Sequence, residues 1–457
     1  MLFAQILNRD LGCASYLLAD GGEAIVVDPR WEVEVYRELA RREGLRITHV
    51  IDTHDHADHI SGRARLASLT GAHAHRPARD GETADGDLAD GDVLSAGSLR
   101  VTALATPGHR PEHLALAVCD RSRALEPWLV LSGDSLLVGD LARPDLAVVP
   151  ELGARQLRHS VRRLLALGDH VELWPGHVGG SLCGGPGLSA KTSSTIGFER
   201  RHNALIGQDE EAFVAILTAN VPPRPPNLAQ IVARNRGLVA HEPAEPREFS
   251  LEDLRAAIGA RATIVDTRDP ITYDEGHIAG SINLPASSSA IGTRAGWAIG
   301  AEQDIVVVAE SGALGREIAM ALDSVGLSRQ LGIAGNDPDG WRRAGLAVQR
   351  GQRWDVAALA SALRRSAVDL VDVRDEREWQ TGHVTDSRHL PLHRLGDGLD
   401  ALPRLDSRPL AVACAGGGRA AFAASLLRRA GARHVLRVAG GGIGDLPAHG
   451  IPLSVGA

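Results

Sequence analysis

The sequence contains little cysteine, almost no lysine and no long apolar run. Four Cys in 457 residues are too few for the disulfide framework that stabilises small secreted proteins. No apolar run approaches the roughly 18 residues of a membrane span. The opening MLFAQILNRD also lacks the basic start and the long apolar core of a secretory signal. These absences exclude a disulfide scaffold and a membrane protein, and we expect a cytoplasmic location in which the cysteines stay reduced.

The composition is that of an ordinary soluble protein. Hydrophobic residues make up 44% of the chain and charged residues 23%. At roughly 150 residues per domain, the chain should form about three domains. The net charge of -8 argues against nonspecific binding to nucleic acid. Arginine supplies nearly all of the positive charge, since Lys191 is the single lysine.

Three His and two Asp are concentrated in the stretch THDHADH at residues 53–59. The stretch directly follows an apolar run at 47–51 that is typical of a strand. Imidazole and carboxylate groups at this density are typical of a transition-metal site. In an extended segment His54, His56 and Asp58 would point to one side. The sequence therefore predicts a metal site in the loop after this strand.

Three later strands also end in a His or Asp that follows a glycine. Their predicted ranges and closing motifs are 99–105 before TPGH, which ends at His109, 128–131 before SGD, which ends at Asp134, and 171–174 before PGH, which ends at His177. Gly or Pro forces a turn at each of these points. We expect this repeated design to gather ligands from four loops at one edge of a sheet.

The motifs THDHADH, TPGH, SGD and PGH, in this order, resemble the metallo-β-lactamase superfamily over about the first 235 residues. The resemblance implies an αββα sandwich, in which two sheets are flanked by helices and the metal lies in the cleft between the sheets. It also implies one of two chemistries that differ in the number and kind of metal ions.

The first chemistry is that of a dinuclear zinc hydrolase of the hydroxyacylglutathione hydrolase type, in which a metal-bound hydroxide attacks a thioester. Its implied ligands are His54, His56, Asp58, His59, His109, Asp134 and His177. The second is that of a persulfide dioxygenase with one Fe(II) per chain. Its implied ligands are His54, His109 and Asp134, a two-His, one-carboxylate set suited to O₂ chemistry. The chain carries the residues for both, so ligand identity leaves iron and zinc open.

Further segments favour the dioxygenase. Residues 133–145, 176–184 and 193–200 resemble the persulfide dioxygenases that are fused to rhodanese domains. Arg110 departs from that pattern, because the family more often has Thr after this His. The departure concerns local substrate contacts rather than the metal ligands.

The same segments contain candidate substrate-binding residues. Cys183 lies in a Gly-rich loop and is predicted either to hold or touch substrate sulfur or to be a loop cysteine without a function. Lys191 and Arg200 are predicted to bind the carboxylates or phosphates of a thiol cofactor, and ordinary solvated charge is the alternative. The remaining candidates are predicted to be core or structural residues: Cys13, Cys119, His75 and His113.

A proline-rich linker is predicted at 222–248, where PPRPP and EPAEP bracket a short helical stretch at 228–235. Beyond it, the motif DTRD at 266–269 with Gly-His at 276–277 recurs 106 residues later as DVRD at 372–375 with Gly-His at 382–383. Both copies alternate strands with helices, which favours small parallel α/β domains, and both resemble rhodanese domains. The predicted domains are 1–235, 249–349 and 353–457, in an α+β and α/β multidomain fold.

The second copy carries the sulfur chemistry in the run CAGGGR at 414–419. Successive backbone N–H groups at a helix start form a nest for anions, which stabilises a thiolate or a Cys persulfide. The predicted catalytic residues are Cys414 and Arg419, and the predicted substrate-binding residues are Gly416, Gly417 and Gly418. The first copy has Ala309 and Leu314 at the positions matched to Cys414 and Arg419, so we predict a non-catalytic spacer or docking module.

Together these observations predict a persulfide dioxygenase fused to a sulfurtransferase. We expect it to oxidise a low-molecular-weight persulfide, such as glutathione persulfide, with O₂ to sulfite, and to form thiosulfate through Cys414, a chemistry suited to sulfide detoxification. The alternatives are the zinc thioester hydrolase with a rhodanese tail and a sulfur-relay or sulfide-sensing protein with a vestigial metal site. We expect a homo-oligomer without nucleic-acid or membrane partners.

Overall fold

The structure is a computed structural model that describes residues 1–79, 86–179, 181–219, 221, 223–238, 245–398 and 408–456. The chain divides into two units, residues 1–224 with 228–241 and residues 225–227 with 242–457. Across the described residues, no helix combines the length and the apolar character that a membrane crossing requires.

The first unit contains two sheets flanked by helices. In chain order its strands are β1 (Leu2–Asn8), β2 (Cys13–Asp20), β3 (Glu23–Val27), β4 (Arg46–Ile51), β5 (His73–His75), β6 (Val93–Ala96), β7 (Leu99–Ala105), β8 (Leu114–Asp120), β9 (Leu129–Gly133), β10 (Glu172–Pro175) and β11 (Ser194–Thr195). Its helices are α1 (Glu34–Arg42), α2 (Arg63–Thr70), α3 (Pro150–Leu165), α4 (Ile196–His202), α5 (Glu210–Ala219) and α6 (Leu228–Asn235). The strand orders are β1-β2-β3-β4-β5 and β11-β10-β9-β8-β7-β6.

The two sheets pack face to face. Tyr16 and Ile51 of the first sheet meet Val101 and Leu116 of the second in one apolar core. Because strand side chains alternate between faces, the neighbouring apolar residues of each strand point outward, where α1 and α2 cover the first sheet and α3 covers the second. This arrangement is the predicted αββα sandwich.

The motif-bearing loops meet at one edge of the sandwich. β7, β9 and β10 run in the same direction, because β7 and β9 each pair antiparallel with β8 and β10 pairs parallel with β9. The loop after β4 joins them there, since the Leu114 N–H donates to the Thr53 carbonyl at 2.8 Å. All four loops can therefore contribute side chains to one site.

One helix begins later than its apolar pattern suggests. A helix is predicted over 31–42, but α1 begins at Glu34. The preceding segment forms an extended bridge between Arg30 and Ser61, and the Arg30 N–H donates to the Tyr36 hydroxyl at 2.9 Å. The chain before Glu34 is thus tied to the loop that follows THDHADH instead of continuing the helix.

The second unit contains two copies of one small α/β fold. The first copy has strands β12 (Arg247–Glu248), β13 (Thr263–Asp266), β14 (His277–Ile278), β15 (Ile282–Asn283), β16 (Ile305–Ala309), β17 (Gln330–Gly335) and β18 (Val348–Gln349), and helices α7 (Leu251–Gly259), α8 (Pro270–Glu275), α9 (Ile291–Gly296), α10 (Gly312–Asp323) and α11 (Pro338–Arg343).

The second copy has strands β19 (Gln352–Trp354), β20 (Asp369–Asp372), β21 (His383–Val384), β22 (Arg388–His389), β23 (Leu410–Ala413), β24 (Val435–Val438) and β25 (Leu453–Ser454), helices α12 (Val356–Arg364), α13 (Glu376–Thr381), α14 (Leu395–Gly398) and α15 (Gly418–Arg429), and 3-10 turns at Leu392–Arg394 and Ile443–His449. The strand orders β12-β17-β16-β13-β15 and β19-β24-β23-β20-β22 are equivalent, which confirms the predicted repeat and its parallel sheets.

The repeated Asp and Arg build the same buried turn in both copies. Arg268 donates from Nε to Asp266 at 2.8 Å and from Nη2 to the Gly276 carbonyl at 2.9 Å. Arg374 makes the equivalent bonds to Asp372 at 3.0 Å and to the Gly382 carbonyl at 2.7 Å. The motif that revealed the repeat therefore serves the fold, because it ties the end of a strand to the glycine of the Gly-His pair.

Candidate functional site

Three buried side-chain atoms face one another at the shared edge of the sandwich. His109 Nε2 lies 3.3 Å and His54 Nε2 lies 3.8 Å from Asp134 Oδ2. The three side chains are at most 2% exposed, and these three atoms have no hydrogen-bond partner among the described residues. Buried polar atoms are normally paired, so this set of free lone pairs fits a metal ion.

The opposite side of each ligand is held by a hydrogen bond. His54 Nδ1 lies 2.9 Å from Thr53 Oγ1, and that hydroxyl donates to Asp28 at 2.9 Å. His109 Nδ1 donates to the Arg143 carbonyl at 2.9 Å. Partners of this kind fix the ring orientation and the tautomer of a ligating His, and here they direct both Nε2 lone pairs to the shared point.

The protonation of the three groups suits metal binding. Burial lowers the pKa of His54 and of His109, which favours the neutral imidazole. Burial would raise the pKa of Asp134, but the charge and hydrogen bond of His177 hold it below its usual range. Two neutral imidazoles and one carboxylate form the donor set of mononuclear non-haem iron sites.

The other predicted zinc ligands are largely hydrogen-bonded to one another. Asp58 accepts on Oδ1 from His59 Nδ1 at 3.0 Å and on Oδ2 from His177 Nε2 at 3.0 Å. His177 Nδ1 donates to Asp134 Oδ1 at 2.7 Å, and His56 Nε2 lies 3.1 Å from Asp28. His56 Nδ1 and His59 Nε2 lack partners, but the Asp58 carboxylate that would join them in a second site is already satisfied.

Two cysteines lie against this network. Cys13 is predicted to be a core residue and is buried, but its Sγ also lies 3.0 Å from Asp58 Oδ2 and 3.2 Å from His177 Nε2. The contact arises because Cys13 and His177 form an isolated bridge between β2 and the loop after β10. Candidate ligand atoms of Cys183, Asp134 and His177 lie within 4.8 Å of one another, and burial raises the pKa of Cys183 to about 11.

The THDHADH loop is also clamped by a residue that the sequence did not single out. Asn235, the last residue of α6, donates from Nδ2 to the carbonyls of His56 and His59 at 2.8 Å each. Its Oδ1 accepts from the Ser61 N–H at 2.8 Å. An Asn that follows a proline-rich stretch gives no sequence signal of this role, because the contact spans more than 170 residues.

The basic residues that the sequence singles out near the predicted substrate site lie in different surroundings. Lys191 is exposed. Arg200 donates from Nε to Asp169 at 2.8 Å and from Nη2 to the Leu165 carbonyl. Arg110 is buried and donates from Nε to Glu112 at 3.1 Å. Arg200 is therefore held by a carboxylate, and binding of substrate by Lys191 and Arg200 stays a prediction.

The second site is the loop between β23 and α15. Cys414 is 2% exposed, and its Sγ accepts from the Gly417 N–H at 3.0 Å. Gly417 has a φ of +95°, which favours glycine. An added Cβ would meet nothing within 4 Å at Gly416 or Gly418. The loop thus presents a backbone donor to the cysteine sulfur at the start of a helix.

Arg419, the second residue of α15, is partly exposed and is paired with two carboxylates. Its Nη2 donates to Glu378 at 2.7 Å and its Nη1 donates to Asp375 at 3.2 Å. The hydrogen bonds and charge of Glu378 raise the pKa of Arg419. The predicted anion-binding charge is therefore compensated by two carboxylates, and its catalytic role stays a prediction.

The corresponding loop of the first copy is one residue shorter. Parallel pairing sets Val308 beside Asp266 and Ala413 beside Asp372, so Ala309 and Cys414 are equivalent. Three residues separate Val308 from α10, whereas four separate Ala413 from α15. The helix register then makes Ala313, and not Leu314, the counterpart of Arg419. The sequence-based match of Leu314 to Arg419 is therefore wrong by one residue. The first copy still lacks both the Cys and the Arg, because it has Ala309 and Ala313 at these positions.

Comparison with known proteins agrees with this division. A family model described as the metallo-beta-lactamase superfamily matches residues 8–177, and one described as the rhodanese-like domain matches 250–335 and 355–443. The persulfide dioxygenase ETHE1 of Bos taurus is 30% identical over 240 residues, which cover 51% of this chain and 87% of the relative.

Two further relatives bear on the fold and on the alternative chemistry. A crystal structure of a metallo-beta-lactamase from Staphylococcus aureus is 29% identical, with a TM-score of 0.65, and the match covers 73% of this chain and 98% of that one. A hydroxyacylglutathione hydrolase of Methylobacillus flagellatus is 26% identical over 236 residues, 50% of this chain and 83% of the relative.

Proposed function

This chain belongs to the metallo-beta-lactamase superfamily and carries two rhodanese-like domains, and on that premise we propose that it oxidises a low-molecular-weight persulfide with O₂ to sulfite and then forms thiosulfate. The relatives named as persulfide dioxygenases support this choice. The substrate class is a thiol persulfide such as glutathione persulfide, and the cellular role is sulfide detoxification.

One observation carries the metal assignment. In the described residues, the set formed by His54, His109 and Asp134 is the one candidate site whose three facing atoms are all free of other hydrogen bonds. The second zinc position would require Asp58, whose oxygens are bonded to His59 and His177. We therefore propose a single metal ion per chain at the first set, and the persulfide dioxygenase relatives support Fe(II) as that ion.

Bound Fe(II) would supply redox chemistry for O₂ at the coordination positions that the three ligands leave open. The chain's own residues orient these ligands and exclude water. Thr53 and the Arg143 carbonyl hold the two imidazoles, and His177 holds Asp134 Oδ1 so that Oδ2 faces the ligand point. Cys183, Lys191 and Arg200 are the proposed contacts to the persulfide and its thiol carrier.

The Cys414 loop performs the sulfur transfer. The Cys414 thiolate attacks the outer sulfur of a second persulfide, and its S–S bond breaks to release the thiol. Sulfite then attacks the outer sulfur of the Cys414 persulfide, which releases thiosulfate and regenerates the thiolate. In sum, two persulfides, one O₂ and one water give two thiols, one thiosulfate and two protons. Joining both steps on one chain raises the effective concentration of the shared intermediate.

Anaerobic purification followed by metal quantitation and an O₂-uptake assay tests the proposal. We expect one iron per chain and oxygen uptake on addition of glutathione persulfide. Two zinc ions per chain with thioester hydrolysis and no oxygen uptake would instead support the dinuclear hydrolase. Absence of bound metal, with sulfur transfer intact, would support a sulfur-relay or sensing protein. Size-exclusion chromatography with light scattering tests the proposed homo-oligomer.

A further inference from the structure

A buried ion pair joins the two rhodanese-like copies. Arg437 of β24 donates from Nε at 3.0 Å and from Nη2 at 2.6 Å to Oδ2 of Asp274, which lies in α8 of the first copy. The two side chains are only 5% and 4% exposed. Burying two charges costs desolvation energy that only a well-formed pair offsets, so the pair fixes the guanidinium in one position.

That position is against the sulfur-transfer loop. An added Cβ at Gly417 would lie 3.9 Å from Arg437 Nη1 and 3.4 Å from the Val438 carbonyl. Arg437 Nη2 also reaches the Pro270 carbonyl of α8 at 3.4 Å. The first copy thus holds one side of the guanidinium, and the other side lies beside the residue whose N–H binds the Cys414 sulfur.

The helix that follows the loop is also anchored on the first copy. The Asn283 N–H of β15 donates to Ser425 Oγ at 2.9 Å, near the middle of α15. At the far end of α15, Arg429 donates to the Gly280 carbonyl at 3.0 Å and to Thr263 Oγ1 at 3.1 Å. These contacts set the helix against β15, while the Asp274–Arg437 pair acts at the loop itself.

We propose that the non-catalytic copy positions the sulfur-carrying loop, with Asp274 orienting Arg437 so that its guanidinium packs against Gly417 and fixes the N–H donor to Cys414 Sγ. The inference rests on the proposed function in that Cys414 is the sulfur carrier. Asp274 and Arg437 are positioning residues, since they act through Gly417. Because the pair carries no net charge, its contribution is geometric.

Two variants of the full chain, Asp274→Asn and Arg437→Lys, test the proposal. The readout is the pH dependence of Cys414 alkylation by iodoacetamide, followed by mass spectrometry of the Cys414 peptide, together with kcat and KM for thiosulfate:cyanide transfer. The charged groups near the Cys414 loop include Arg419 of α15, which pairs with Asp375 and with Glu378 of α13, and Arg437 with Asp274. Asp445 also faces the loop from the 3-10 turn at Ile443–His449, where its Oδ2 accepts from the Gly442 N–H at 2.8 Å. Neither variant changes Arg419, Asp375 or Glu378.

In Arg437→Lys, which keeps the charge, we expect the alkylation profile to move to higher pH by about one unit, so that the rate near neutral pH falls roughly ten-fold, because a misplaced N–H stabilises the thiolate less. In Asp274→Asn the uncompensated guanidinium favours the thiolate and opposes this shift, so the fall in kcat is the readout for that variant. In both variants kcat should fall by a similar factor and KM should change little. Arg429→Ala is the matched control, since it removes a contact between the copies at the far end of α15, and it should leave the profile unchanged.

A wild-type alkylation profile in Arg437→Lys overturns the proposal, even if thermal stability falls, and so does a wild-type kcat in Asp274→Asn. If Asp274→Asn does not fold, Arg437→Lys decides alone, because it keeps a cation that reaches Asp274 and loses the planar group beside Gly417. An equal shift of the alkylation profile in Arg429→Ala would also overturn the proposal, since the shift would then come from a general weakening of the contact between the two copies. If the wild-type protein lacks sulfur transfer, the proposed function fails, but the alkylation profiles still test the positioning.

Discussion

Two histidines of the THDHADH motif differ in which ring nitrogen is hydrogen-bonded and in the partner of that nitrogen. His54 uses Nδ1 toward Thr53 and keeps Nε2 free, whereas His56 uses Nε2 toward Asp28. Although burial opposes protonation, Asp28 raises the pKa of His56 to about 9, so that this ring favours the charged form as the partner of Asp28. Two histidines of one motif thereby acquire different roles.

The first prediction follows from this difference. His109→Ala removes one of the three converging atoms, and we expect iron content and O₂ uptake to fall by more than about ten-fold, because even the loss of an outer partner of a ligand costs about 10–100-fold in metal affinity. His56→Ala is the control and should keep most of its iron. Metal content by mass spectrometry and oxygen uptake by electrode give the two values. Full iron and full uptake in His109→Ala would show the ligand assignment to be wrong.

At this scale the sequence predicted which candidate metal ligands come together but not what holds them. His109, Asp134 and His177 follow strands and glycines, a local pattern that can be recognised without a structure. Cys13 and Asn235 reach the site through contacts with residues far away in the chain, and nothing in their local sequence marks them. Hydrogen bonds between distant segments depend on packing, which the local pattern does not encode.

At the scale of elements, the two rhodanese-like copies share their sheet but differ in the loop that carries Cys414 in the second copy. The two copies share strand order and the buried Asp–Arg turn. The loop before α10 is one residue shorter than the loop before α15, and Ser311 caps α10 by accepting from the Leu314 N–H at 3.2 Å. The first copy thus has a side-chain cap where the second copy has the glycine turn that presents a donor to Cys414.

The second prediction concerns this shortened loop. Adding Ala309→Cys to a Cys414→Ser background should restore less than about a hundredth of the wild-type sulfur transfer, because removal of one preorganised donor alone costs about 10²–10³-fold in rate. Adding Ala313→Arg as well should not rescue it, since the loop would still lack a residue. Thiosulfate:cyanide transfer is measured against Cys414→Ser alone. Substantial activity from Ala309→Cys would mean that the first copy had kept a working loop.

Elements were easier to predict where one local pattern decides them. The helix at Leu228–Asn235 has the bounds that its proline-flanked sequence predicts. The start of α1 was predicted too early, because the extended segment before it is set by the Arg30–Ser61 bridge and not by its apolar residues. Tertiary pairing therefore overrides helix periodicity at that boundary.

At the scale of the whole molecule, the two candidate centres are built from separate sets of residues. The converging atoms of the first centre come from loops of the first unit, and the Cys414 loop belongs to the second unit. The two centres should therefore be separable by mutation, which makes the order of the two steps accessible to experiment.

The last prediction uses this separation. Cys414→Ser replaces the thiolate with a hydroxyl of far higher pKa, which cannot hold sulfane sulfur under mild conditions. The variant should still consume O₂ with glutathione persulfide, but its product should change from thiosulfate to sulfite. Ala309→Ser at the equivalent place in the first copy is the matched control and should still give thiosulfate. The product ratio, determined by ion chromatography, is a better measure than the rate, since accumulated sulfite slows the oxidation if the product inhibits it.

The non-enzymatic reaction of sulfite with persulfide sets the background of that experiment. It is measured with sulfite and persulfide in the absence of protein and subtracted from both variants. Equal corrected thiosulfate yields from the wild-type protein and Cys414→Ser would contradict coupling of the two centres, because thiosulfate would then form without the one cysteine that can carry sulfane sulfur in the second copy. A sulfite product confined to Cys414→Ser would instead place Cys414 after the oxygen-consuming step, since the metal site alone would stop at sulfite.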